Sequence, residues 1–289
     1  LDDKLVSVII VTHNRSQLLK KAINSVIKQT YKNIELIVVD DCSDDNTYEV
    51  VKSFDYPIIY YRLSVQSGAN VARNKGIDLA NGYYITGLDD DDEMLPDRVK
   101  RLVESYNDKY AYVFSQVYFD DGYKKLKKDF AKFKNILTLN DMLYVNFTGN
   151  QVLTTKENLI KAGKYDEKLP SAQDYDMWIR LLQIKPYAQK VKRPLMIINK
   201  NNNMQRISSS KLKIKGYFLF YKKYKHLMNI DQKKFQLFKL FLIKGKKINL
   251  KKFFLFLPKK NINIVILYIY INLKYFLKNI LKPNSSKIK

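Results

Sequence analysis

The chain has 289 residues and only one cysteine, Cys42. That excludes a disulfide framework and a cysteine-rich zinc site, and it suits a reducing compartment. The opening LDDKLVSVII has neither a basic leader nor a small-residue cleavage site, so no signal peptide is expected in it. Long apolar runs are also missing. In the C-terminal part the longest nearly uncharged stretch, residues 261–273, falls short of the ~20 residues that span a bilayer. The first apolar run is not followed by the glycine fingerprint GxGxxG, and the chain has no phosphate-binding P-loop. A nicotinamide enzyme and an ordinary ATPase are therefore not expected. Acids are scarce at one end: residues 206–289 carry 22 Lys/Arg and a single acid, Asp231. The other 30 basic residues face 27 acids, so nearly all of the net charge of +24 sits in the C-terminal part.

The apolar fraction, 46%, is that of a globular protein, and the length allows one or two domains. Residues 5–14, LVSVIIVTHN, form a β-branched run that ends in polar residues, as a buried parallel strand does. Ser16 is placed to cap a helix with apolar positions Leu19, Ala22, Ile23, Val26 and Ile27. IELIVVDD (34–41) reads as a second buried strand, PIIYYRL (57–63) as a third and YYIT (83–86) as a fourth, with helices between them. Strands are further expected over 110–119 and 186–199, and a helix over 171–182. The lysine-rich stretch 124–134 reads as a loop. Alternating strands and helices give an α/β fold with a mostly parallel sheet and flanking helices. The expected division is a domain of residues 1–205 and a basic helical tail of residues 206–289.

The fourth strand runs into GLDDDDEMLPDR, where four carboxylates, residues 89–92, stand in a row. Adjacent carboxylates repel, and a hard divalent cation such as Mg²⁺ or Mn²⁺ relieves this while leaving room for substrate phosphates. A solvated acidic loop is the plainer alternative. Position argues against it. In parallel sheets ligands bind beyond the carboxyl ends of the strands. Thr12–Arg15, Asp40–Asp41 and Asp89–Asp92 all fall at such ends.

The segments SVIIVTHNR, IELIVVDDCSDDNT, SGANVARNKGI, GYYITGLDDDDEMLPDR and GKYDEKL with QDYDMWIRL resemble, in order and spacing, those of the family 2 glycosyltransferases over about residues 5–210. The resemblance implies a GT-A fold and inverting, metal-dependent transfer from a nucleotide-sugar. It assigns Thr12, Asn14, Asp40, Asp41 and Arg73 to the nucleotide-sugar, Asp41 as acceptor from the base. Uracil offers an N–H there, so a UDP-sugar is the expected donor. Asp90 and Asp92 correspond to the metal-binding DxD pair, with Asp91 as the alternative partner of Asp92 and a donor-site residue. Asp174 holds the position of the base that deprotonates the acceptor hydroxyl; Gln173 precedes it where Glu is usual. Asp176, two residues on, points elsewhere on a helix. His13 reads as a shaping residue, and Trp178 and Arg180 as packing and a helix-face ion pair.

The QxxRW signature of processive synthases is missing, so one hexose or N-acetylhexosamine is expected per encounter, moved to a glycan acceptor carried on lipid. The histidine that many relatives carry before the C-terminal region is absent from NKNNNMQRIS (199–208). The tail alternates lysines with large apolar residues. That pattern suits an anionic membrane surface and places the protein on the cytoplasmic face of the membrane. Helices packed on the body with solvated lysines are the alternative. Without a recognised module, nucleic acid is not an expected partner. A silent glycan- or lipid-binding module and a nucleotidyltransferase are the rival functions. The intact carboxylates oppose the first, and THNRSQ, a poor phosphate-gripping loop, opposes the second.

Overall fold

The computed structural model describes residues 3–132, 134–200 and 210–244. The chain divides into two units. The first comprises Leu1–Met142, Asn146–Leu169 and Gln173–Ile207. The second comprises Leu143–Val145, Pro170–Ala172 and Ser208–Lys289.

In chain order the first unit has β1 (Val6–Thr12), α1 (Ser16–Ile27), β2 (Ile34–Asp40), α2 (Thr47–Lys52), β3 (Ile58–Arg62), α3 (Ala69–Leu79) and β4 (Tyr84–Asp89). There follow β5 (Glu93–Met94), α4 (Arg98–Ser105), β6 (Tyr110–Asp120), β7 (Lys125–Lys128), β8 (Ile136–Leu137) and α5 (Leu139–Met142). β9 (Leu153–Thr155), α6 (Lys156–Lys161), α7 (Gln173–Ile184) and β10 (Tyr187–Asn199) complete it. One sheet runs β3-β2-β1-β4-β9-β6-β10-β5, with β7 on β6 and β8 on β10. β1 to β4 are mutually parallel, β10 is parallel to β6, and short β9 is antiparallel to both β4 and β6.

Burial on both faces explains the nearly continuous apolar runs of β1 and β2, broken only by Ser7 and Glu35 before their polar ends. Val8, Ile10, Leu36 and Val38 have no exposed surface, and Leu19, Ala22 and Ile23 of α1 pack on them. The register pairs Thr12 with Asp40 and Val11 with Asp89, so three polar strand ends share one edge. β6 is antiparallel to β9 and β9 to β4, so β6 runs with β4 and its end lies at that edge too.

Two local expectations are corrected. Ser16 is the first residue of α1 rather than its cap, and its N–H goes to Asp45 Oδ2 at 3.0 Å. The capping carboxylate comes from a distant segment, which no local pattern announces. The stretch 124–134 is not simply a loop: Lys125–Lys128 pair with Val117–Asp120 as a hairpin.

The second unit holds α8 (Ser210–Tyr224) and α9 (Ile230–Ile243). Asn229 and Gln232 form a reciprocal capping box at the start of α9. Phe235 and Phe238 pack with Tyr144. No helix among the described residues is long and apolar enough to cross a membrane. Gln205–Arg206, most of NKNNNMQRIS and the tail from residue 245 onward lie outside the described residues.

Gly82 lies against β1, and its N–H donates to Ser7 Oγ at 2.9 Å. An added Cβ would stand 2.6 Å from the Ser7 nitrogen and 2.8 Å from the Tyr84 oxygen, both backbone. Gly82→Ala is therefore expected to lower stability by about 1–3 kcal/mol, read from the urea midpoint at unchanged slope.

Candidate active site

β4 ends at Asp89, and the chain turns at once, with Asp92 N–H bonded to the Asp89 carbonyl at 3.0 Å. That turn decides which carboxylates meet. In an extended strand Asp90 and Asp92 would share a side. Here oxygens of Asp89, Asp91 and Asp92 converge within 4.8 Å of one another. Asp90 points away: it accepts from Thr12 Oγ1 at 2.8 Å and from Arg15 Nη1 at 3.0 Å. Of the expected metal pair, Asp92 lies in the converging group and Asp90 does not. Asp91 is in the group as well. Asp89, which sequence reasoning did not single out, is its third member.

These carboxylates are held by donors from four other segments. Asp89 accepts from Arg73 Nη2 (3.1 Å), Gln151 Nε2 (3.0 Å) and Asn150 Nδ2 (2.6 Å). Asp92 accepts from the Asn199 N–H at the end of β10 (3.0 Å) and from Asn150 Nδ2 (3.4 Å). Arg15 also reaches Asp91 at 3.5 Å. Gln151 can approach because residue 87 is glycine; a Cβ there would meet Gln151 Oε1 at 2.2 Å. Burial, then the charges of Asp89 and Asp91, push the Asp92 carboxyl well above its usual range. Burial likewise lifts Asp90 to about 6, against the pull of Arg15 and Thr12. Three hard oxygen donors whose mutual repulsion is only partly offset fit a divalent cation.

The expected nucleotide residues line the neighbouring strand ends. Asp40 is bound into its own loop, accepting from Ser43 N–H and Oγ (2.8 and 2.6 Å) and from Tyr60 Oη (2.6 Å). Asp41 accepts the N–H groups of Ser67 (2.7 Å) and Gly68 (2.9 Å), one on each oxygen. Gly68 has φ 93°, a conformation that glycine takes at no steric cost. His13 Nδ1 donates to the Asp41 carbonyl at 2.8 Å, which shapes the same rim. Asn14, at φ 53°, accepts the Asp44 N–H at 2.7 Å and ties the first strand's loop to the second's.

Asp174 stands in the first turn of α7. Its Oδ1 is buried and has no hydrogen-bond partner. Burial raises its pKa to about 7; Arg73 opposes the rise and Asp89 adds to it. Arg73 thus faces both Asp174 and Asp89. Its guanidinium lies 5.4 Å from the Tyr165 ring centre, and its Nη1 is buried without a partner. Two buried, unsatisfied polar atoms, a carboxylate oxygen and a guanidinium nitrogen, therefore belong to groups within electrostatic reach of each other. Asp176 is fully buried and pairs with Arg180 at 2.7 Å, so it is structural. Trp178 is buried, and its Nε1 donates to the Gly149 carbonyl.

Arg15, Asn150 and Gln151 join Asp89 as site residues to which the sequence assigned no individual role. Arg15 is the last residue of THNR and carried a signal, a cation beside an acidic turn. Asn150 and Gln151 carried only the turn residue Gly149 before them.

The model of the family described as Glycosyl transferase family 2 matches residues 7–163. A protein of Escherichia coli K12, provisionally named as the colanic acid biosynthesis glycosyl transferase WcaA, is 34% identical over 267 residues. The match covers 90% of this chain and 95% of that protein. The GalNAc(5)-diNAcBac-PP-undecaprenol beta-1,3-glucosyltransferase of Campylobacter jejuni is 32% identical over 63% of this chain and 61% of its own length. Among solved structures, S. aureus TarS 1-349 in complex with UDP-GlcNAc superposes with a TM-score of 0.66 at 18% identity. That superposition covers 86% of this chain and 77% of that one. The mannosyltransferase PcManGT of Pyrobaculum calidifontis, in complex with GDP-Man and Mn²⁺, gives 0.57 at 15% identity, covering 96% and 72%. At such identities these two likenesses establish the fold.

The grouping of carboxylates yields a direct comparison. Asp91→Asn is expected to weaken Mn²⁺ binding roughly tenfold or more, because it removes one of few charged donors. Asp90→Asn should leave that affinity nearly unchanged. Titration calorimetry with Mn²⁺ alone reads both.

Proposed function

Because the chain belongs to glycosyl transferase family 2, we propose that it is an inverting, non-processive enzyme that moves a hexose or N-acetylhexosamine from a UDP-sugar to a lipid-linked glycan. The observation that carries the reading is the electrostatic proximity of Asp174, Arg73 and Asp89, the last a member of the converging Asp89–Asp91–Asp92 group. Support for the donor comes from the UDP-GlcNAc held by the structurally similar TarS. Support for the acceptor comes from the undecaprenol diphosphate in the name of the Campylobacter relative.

In this mechanism Asp41, Thr12 and Asn14 seat the nucleotide at the ends of β1 and β2, with Asp40 bracing the loop between them. Arg73 turns its unpartnered Nη1 to a diphosphate oxygen, which gives that buried donor an acceptor. Asp89, Asp91 and Asp92 would hold the cation. A bound Mg²⁺ or Mn²⁺ supplies Lewis-acid stabilisation of the departing diphosphate. Asp174 accepts the proton of the acceptor hydroxyl while that oxygen bonds to the anomeric carbon and the bond to phosphate breaks. A carboxylate with a pKa near 7 is a stronger base than an ordinary aspartate and is still largely ionised just above neutrality.

The protein acts, on this reading, as a peripheral protein of the cytoplasmic membrane face. The lysine-rich C-terminal part supports that placement.

Two tests follow. In a panel of UDP-sugars with Mn²⁺, one should release UDP, and Asp92→Ala should abolish that release; turnover of GDP-mannose alone would overturn the donor assignment. Asp174→Asn should retain donor binding yet lose roughly 10²–10⁴-fold in transfer, and wild-type kcat/KM should rise with pH through about 7. The sign for stability is opposite. A folded pKa above the usual carboxylate value means Asp174 lowers stability as pH climbs from about 4 to about 7. The Asn variant should therefore melt no lower than wild type at pH 8.

A further inference from the structure

β6 runs on past β9, alongside β10 to Asp120, and folds back as β7. The turn between them is well made: Asp121 Oδ1 accepts the N–H groups of Tyr123 (3.1 Å) and Lys124 (3.0 Å), and Gly122, at φ 89°, donates to Asp120 Oδ1 at 2.9 Å. The returning segment is fastened as well. Buried Lys190 reaches both oxygens of Asp129 (3.1 and 2.9 Å), and Gln116 donates to Asp129 at 2.7 Å. This ordered hairpin carries Tyr123 at its tip, 99% exposed, and Leu126, 42% exposed. Lys124, Lys125 and Lys127 are exposed beside them. The two acids next to its tip are engaged, Asp121 in the turn and Asp120 with Gly122 and with Lys125 at 3.7 Å.

The hairpin springs from the rim of the site. Asp120 pairs with Asn199 across β6 and β10, and the Asn199 N–H donates to Asp92. Lysines on an edge strand also discourage pairing with other chains, but that role leaves an aromatic held wholly in water unexplained. Tyrosine is favoured where one end is apolar and the other wet, and lysines are drawn to anionic headgroups.

We propose that the β6–β7 hairpin docks on an anionic phospholipid surface, Tyr123 entering the interface and Lys124, Lys125 and Lys127 meeting headgroup phosphates. The contact sets the carboxylate cluster at headgroup height, where a lipid-borne acceptor ends. It rests on the peripheral-membrane reading above, but it assigns the contact to the first unit rather than to the tail.

The test uses the full chain with Tyr123→Trp. The only native tryptophan, Trp178, is buried, so the wild-type spectrum is the background to subtract. With phosphatidylglycerol vesicles, fluorescence of the introduced indole should shift to shorter wavelength and be quenched by bromine-labelled lipid. Phosphatidylcholine vesicles and inorganic phosphate should do neither. Adding Lys124→Glu and Lys127→Glu should raise the lipid concentration for half-maximal quenching roughly tenfold or more. If the chain sediments with the vesicles while the introduced indole stays in water, the hairpin proposal fails and the peripheral reading stands. If the chain does not sediment, both fail.

Discussion

Crowding of like charge at the end of β4 is the constraint on which the site depends. Residues 89–92 bring four carboxylates into one turn, and the fold answers them unequally. Arg15 takes Asp90, and Arg73 with two side-chain amides takes Asp89. Asp92 receives one backbone N–H and a share of Asn150. Donors from β1's loop, α3, the 149–151 turn and β10 thus all end on one short acidic stretch. Each desolvates its carboxylate as well as binding it, so the cluster stays short of positive charge.

That shortage spreads into the cleft. Arg73 is drawn by Asp89 on one side and Asp174 on the other, and burial of the whole group works against every charge in it. Burial is the main reason that Asp174 holds its proton tightly; Asp89 adds to it and Arg73 only partly opposes it. The β1–β4 frame, by contrast, is apolar and continuous. Its task is to hold the strand ends in register, Thr12 beside Asp40 and Val11 beside Asp89.

Much of this is legible in the sequence. β1, β2 and β4 announce themselves as β-branched or aromatic runs stopped by polar residues, and the stops are the site. The family resemblance added roles for Asp41, Arg73 and Asp174. What the sequence hid depends on local backbone direction and on contacts between distant segments. The family resemblance implied Asp90 with Asp92, but the turn after Asp89 replaces strand alternation and brings Asp89 and Asp91 to Asp92 instead. Asn150 and Gln151 lie about 60 residues from their partners, and nothing local marks them. β7 is hidden because its four residues are mostly lysine, and its strand geometry comes from pairing with β6 rather than from propensity.

The loop that seats Asp41 has a consequence for how the chain tolerates change. Asp41 is held by the peptide N–H groups of residues 67 and 68, not by their side chains. Side chains at positions 65 to 67 can therefore vary widely in related chains while the rim keeps its shape. Position 68 is confined by its dihedral angle instead. Substitutions here divide by backbone geometry: many residue types are neutral at one position, and almost none is neutral at the next.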